Sequence, residues 1–118
     1  MARADARAPY LITLVGKSGS GKTTLAIKLI EALATRGYAV GSVKHHSRTD
    51  FEIDHEGKDS WRMREAGSRH VVVAAPNKIA HMRDIDHEME FPEIVAEMTD
   101  VDVVVAEGYR IAGSPTLF

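Results

Sequence analysis

Gly16-Lys17-Ser18-Gly19-Ser20-Gly21-Lys22-Thr23 decides how the rest of this 118-residue chain is read. The stretch satisfies G-x-x-x-x-G-K-[ST] at every fixed position, and Thr24 follows it. An apolar run over residues 10–15 leads in, and an amphipathic helical pattern leads out. That order of strand, glycine-rich loop and helix separates a phosphate loop from a glycine-serine linker. Glycines let successive backbone N–H groups turn inward on an anion, and the following helix adds its positive N-terminus. In such a cradle Gly16, Lys17, Ser18, Gly19, Ser20, Gly21 and Thr24 surround the phosphates. Lys22 reaches the β- and γ-phosphates, and the Thr23 hydroxyl holds Mg²⁺. The expected ligand is a nucleotide phosphate.

The bulk numbers narrow the class around that loop. A length of 118 residues predicts one domain with a modest core, over residues 10–118, behind a disordered tail over residues 1–9. Hydrophobic residues at 44% and charged residues at 27% are those of an ordinary globular protein. A net charge of −2 and a pI near 6.3 argue against a general nucleic-acid or anionic-membrane surface. The chain has no cysteine, hence no disulfide and no thiolate metal site. No apolar segment approaches a membrane span or a signal-peptide core, and the expected location is the cytoplasm.

Working outward from the loop, residues 10–15 read as a buried parallel strand. Residues 22–36 read as a helix with Leu25, Leu29 and Leu33 in an apolar stripe widened by Ala26 and Ile30, closed by Gly37. Residues 38–43 read as a second strand, and residues 47–57 as an acidic loop. A short helix over 58–66 is closed by Gly67. Residues 70–75 read as a third strand stopped by Pro76, and residues 79–82 as a short edge strand. Residues 91–98 fit a helix begun by Pro92, and residues 101–106 a strongly apolar strand with Glu107-Gly108 at its end. Strands alternating with helices predict an α/β fold: a three-layer, P-loop NTPase-like arrangement with a mainly parallel sheet flanked by helices. Ligands of such sheets gather at the carboxyl ends of the strands, where the phosphate loop, Lys44-His45-His46, the acidic loop and Glu107 would converge.

Phosphoryl transfer needs more than a phosphate loop: a metal, a carboxylate on that metal or its waters, and a group that orients the nucleophile. Glu107 follows four apolar residues and stands where a Walker-B acid belongs, although a strand-terminal solvated glutamate has the same appearance. Asp50, Asp54 and Asp59 in and beside the acidic loop are further metal or water partners; Asp59 is alternatively a cap for a helix beginning near Ser60. His46 is a candidate contact to phosphate or substrate. Imidazoles of His45, His46 and His55 near Asp50 and Asp54 suggest a transition-metal site, but no spacing matches a familiar ligand pair. Asn77-Lys78-Ile79-Ala80 is similar to the guanine-reading N-K-x-D, yet Ala80 replaces the aspartate that would pair with the base. Lys17 fits the deviant phosphate loop of dimeric ATPases, where an extra lysine crosses to the partner's nucleotide; a solvated lysine at a variable position is the preferred reading.

These residues together resemble one family, the molybdopterin-guanine dinucleotide biosynthesis adapter proteins (MobB). The resemblance is carried by the phosphate loop, Lys44-His45, Asp54, Gly57-Lys58-Asp59-Ser60, Arg64, Ala66-Gly67, Val72-Val73-Ala74, Ile79-Ala80 and Glu107-Gly108-Tyr109-Arg110. It covers nearly everything from residue 11 to residue 110. It implies a GTP-binding protein with weak, Mg²⁺-dependent GTPase activity, acting as a homodimer beside the guanylyltransferase of molybdenum cofactor biosynthesis, which joins GMP to molybdopterin. Its site residues here are the loop and Lys22, with Thr23 and Asp54 or Glu107 on the metal and Glu107 on the attacking water. After Arg110 the chain departs from the family pattern: Thr116 follows Pro115 where a lysine is usual. The expectation is a chain lacking the family's C-terminal part. The alternative from the residues alone is a small P-loop kinase acting on a metabolite.

Overall fold

The computed structural model describes residues 8–16, 21–46, 58–109 and 116–117. They fall into two compact units. The first is made of residues 1–47 and 90–118, and the second of residues 48–89.

In the first unit β1 (Tyr10–Leu14), β2 (Val40–Lys44), β5 (Val103–Glu107) and β6 (Thr116–Leu117) form one sheet in the order β2-β5-β1-β6. Every pairing in it is parallel. Leu14 and Lys44 are both register partners of Glu107, so the carboxyl ends of β1, β5 and β2 stop in line. The sheet places strand ends, not strand faces, where chemistry can occur.

β5 is buried on both sides, as a central parallel strand must be. Val103, Val104, Val105 and Ala106 are all buried. Val104 and Ala106 pack with Phe91, Val95, Met98 and Val101. Val105 packs instead with Leu14, Ala26, Leu29, Ile30 and Leu33. Alternate β5 side chains therefore meet α3 (Phe91–Ala96) on one face and α1 (Lys22–Thr35) on the other, which are the three layers expected. The stripe on α1 is rotated from its expected setting. Ala26, Leu29, Ile30 and Leu33 face the sheet, whereas Leu25 is 39% exposed. Spacing of i, i+3, i+4, i+7 from Ala26 fits the 3.6-residue turn more closely than a strict i+4 ladder from Leu25.

Helix ends explain where these elements stop. α1 closes on a Schellman arrangement: the Tyr38 N–H reaches the Leu33 carbonyl at 3.2 Å and the Gly37 N–H reaches that of Ala34 at 3.0 Å. α3 opens on a capping box in which the Glu90 N–H donates to Glu93 Oε1 at 2.8 Å and the Glu90 side chain accepts from the Glu93 N–H. Pro92 sits inside that first turn, so the box and not the proline alone marks the start. At the amino end of the sheet Asp102 ties three segments. Its carboxylate accepts from the Ala39 N–H at 2.8 Å, its own N–H donates to the Ala39 carbonyl at 2.7 Å, and its carbonyl accepts from the Tyr10 N–H at 2.9 Å.

The second unit differs from expectation. β3 (His70–Ala75) and β4 (Lys78–Arg83) form their own antiparallel hairpin, with Pro76 and Asn77 in the turn; they are not strands of the parallel sheet. α2 (Asp59–Glu65) lies against β3. Lys58 is its N-cap, without a side-chain capping bond, so Asp59 is not the cap; it lies in the first turn, where a carboxylate complements the helix dipole. Val71 and Met82, opposite one another in register, are the buried pair. No helix of the described residues is long and apolar enough to cross a membrane.

Candidate functional site

Two side chains separated by 84 positions in sequence meet at the carboxyl end of the sheet. Thr23 Oγ1 donates a hydrogen bond to Glu107 Oε1 at 3.0 Å. Thr23 arrives there because α1 begins at Lys22, one residue after Gly21, whose φ of 88° turns the chain into the helix. Few residues other than glycine adopt that left-handed conformation without strain. Leu25 N–H then closes the first turn on the Gly21 carbonyl at 3.0 Å. Glu107 arrives as the last residue of β5, half-buried, while Thr23 is exposed.

The backbone of Glu107 is held from both sides. The His45 N–H donates to the Glu107 carbonyl at 2.9 Å, and the Gly108 N–H donates to the Leu14 carbonyl at 2.9 Å. β2 and β1 thus grip the strand end that carries the carboxylate. A hydroxyl oxygen and a carboxylate oxygen 3.0 Å apart, at a helix N-terminus, form a hard-oxygen donor set of the kind Mg²⁺ prefers.

Of the residues expected in the site, Gly16, Gly21, Lys22, Thr23, Thr24, His46 and Glu107 are described, and Thr23 and Glu107 meet through their side chains. Lys22 is half-buried at the first position of α1, and Gly16 follows β1. His46 is exposed, two residues beyond the end of β2. Lys17, Ser18, Gly19, Ser20, Asp50, Asp54 and His55 lie outside the described residues. No group of three or more metal-ligating side chains of His, Cys, Asp or Glu occurs among the described residues. Asn77 and Lys78, the start of the N-K-x-D look-alike, occupy the turn and first strand position of the β3–β4 hairpin.

Sequence reasoning placed His45 and Gly108-Tyr109 near Glu107 but found neither the ring contacts among them nor the part of Phe91. His45, Gly108, Tyr109 and Phe91 surround that strand end. The ring of Tyr109 lies 5.1 Å from that of His45 and 4.7 Å from that of Phe91. A glycine directly after a strand-terminal acid, followed by an aromatic residue, was the available signal.

The family model described as molybdopterin guanine dinucleotide synthesis protein B (MobB) matches residues 11–117. The molybdopterin-guanine dinucleotide biosynthesis adapter protein of Haemophilus influenzae is 40% identical over 102 residues, 85% of this chain and 57% of that protein. Its Escherichia coli counterpart is 36% identical over 104 residues, 85% of this chain and 59% of that protein. This chain therefore spans less than two thirds of the length of either relative. The crystal structure of molybdopterin-guanine biosynthesis protein B (mobB) superposes with a TM-score of 0.68 at 33% identity, covering 90% of this chain and 65% of that one. With the family model matching residues 11–117, this chain belongs to the MobB family.

Proposed function

We propose that this chain is the nucleotide-holding part of a cytoplasmic accessory protein that binds GTP with Mg²⁺, hydrolyses it slowly, and serves the guanylyltransferase step of molybdopterin guanine dinucleotide synthesis. The observation that carries the reading is the 3.0 Å bond between Thr23 and Glu107 at the N-terminus of α1. Relatives named as adapters in that biosynthesis support the accessory role, and homodimerisation is part of the same proposal.

The roles follow from position. Backbone amides of the loop from Gly16 to Gly21, with Lys22, hold the phosphates. Thr23 and Glu107 hold Mg²⁺, with Asp54 as a further carboxylate. When bound, the metal neutralises charge on the β- and γ-phosphate oxygens. Glu107 orients the attacking water through its second carboxylate oxygen. No residue of this chain is assigned as an arginine finger, a group worth about 10³–10⁵ in rate where present, so unaided turnover is slow.

Binding measured by calorimetry, with GTP and ATP compared in Mg²⁺, tests this directly. GTP is expected to bind more tightly, and Lys22→Ala to weaken it about 10–100-fold, the worth of a hydrogen bond to a charged group. Equal affinity for ATP would remove the guanine part of the reading. Unchanged binding in Lys22→Ala would remove the phosphate-loop assignment.

A further inference from the structure

The Thr23–Glu107 contact depends on where β5 stops and how the chain leaves it. Gly108 turns with a φ of 99°, and a Cβ built there would lie 3.0 Å from His45 Cβ. The position therefore disfavours a side chain on two grounds, conformation and space. The turn delivers the Tyr109 ring between two others. It stacks on Phe91 at 4.7 Å with the ring planes 26° apart, and meets His45 at 5.1 Å with the planes 59° apart. Phe91 is 2% exposed and begins α3. His45 is also the residue whose N–H holds the Glu107 carbonyl. Three rings thus join the segment after β2, the segment after β5 and the start of α3. Of the three, His45 bears directly on Glu107, through its backbone N–H.

We propose that Tyr109 is a positioning residue for Glu107: by clamping the Gly108 turn between His45 and Phe91 it sets the carboxylate against Thr23, and so sets the affinity of the pair for a divalent cation. The proposal rests on the Mg²⁺-nucleotide reading above. A tyrosine that merely fills the α3 side of the core would contribute to stability and leave metal affinity untouched. Offset stacking on Phe91 fixes the ring's position as well as burying it.

The test measures Mn²⁺ affinity in the nucleotide complex by electron paramagnetic resonance, beside nucleotide affinity without metal and thermal unfolding. In Tyr109→Leu the Mn²⁺ dissociation constant is expected to rise about tenfold, the scale seen when a partner behind a metal ligand is lost. Metal-free nucleotide affinity is expected to stay within about twofold, because the phosphate loop is not part of the clamp. Tyr109→Phe, which keeps the ring, restores the native value. Gly108→Ala displaces the same turn by crowding His45 while keeping the Tyr109 and Phe91 rings, and shifts Mn²⁺ affinity the same way; it carries the test should Tyr109→Leu fail to fold. Unchanged Mn²⁺ affinity in both variants overturns the proposal, as does an equal loss of metal-free and metal-bound affinity. If the native chain binds nucleotide independently of metal, the Mg²⁺ reading itself falls, and this inference with it.

Discussion

The chain contains the tetrapeptide Val-Val-Val-Ala twice, at residues 71–74 in β3 and residues 103–106 in β5, and the two copies have opposite fates. In β5 all four are buried, Val104 and Ala106 completely. In β3 only Val71 is buried, while Val72 and Val73 are 46% and 49% exposed. Local sequence does not explain this. β5 has a parallel neighbour on each side and a helix over each face, whereas β3 has one antiparallel neighbour and a short helix. A valine-rich run says that a strand will form; the number of neighbours says whether it will be core. Glu107 takes its fixed position from the better-enclosed copy.

The comparison can be broken most severely at Val104. Val104→Asp places a carboxylate at a fully buried position between β2 and β1, and should cost more than about 4 kcal/mol. Loss of the cooperative transition in circular dichroism is the expected result; a mild shift would mean β5 is not the core strand described. Next in size is Asp102→Ala. It removes the acceptor of the Ala39 N–H, and should lower stability by about 1.5–3 kcal/mol in urea unfolding with the m-value unchanged. The smallest effect sharpens the contrast from the other side. Val72→Thr, in the half-exposed copy, should change stability by no more than about 0.5 kcal/mol. A loss comparable with that of Asp102→Ala would show that the hairpin face is covered.

Much of the fold was legible because its signals are local. The strand-loop-helix order around Gly21, the apolar run into Glu107 and the glycines closing α1 and α2 were each read from a few adjacent residues, and β1, α1, α3 and β5 form close to where they were expected. The hairpin was not legible as such. His70–Ala75 has the composition of a buried parallel strand, and what makes it half of a separate sheet is its pairing with Lys78–Arg83, a matter of register that composition does not encode. In the site, Thr23 and Glu107 were each identifiable by motif, but their contact joins positions 84 residues apart. The meeting of rings beside Glu107 was not legible for the same reason: His45 and Tyr109 were named as motif residues, but Phe91, His45 and Tyr109 come from three separate segments. Glu90 escaped notice as a cap because glutamate is not among the usual N-cap residues, although its partner Glu93 completes the box.

The strand order β2-β5-β1-β6 also has a consequence for how the chain is made. β1 and β2 emerge from the ribosome early, yet they are not neighbours; each waits for Val103–Glu107 before it has a hydrogen-bonded partner. During synthesis the segment that carries the phosphate loop therefore has exposed strand edges on both sides until β5 arrives. Long-range pairing of this kind slows folding and leaves unpaired edges open to wrong partners. The last-made piece of the sheet's centre is then also the piece that brings Glu107 to Thr23, so closing the centre of the sheet and bringing the two side chains together are one event.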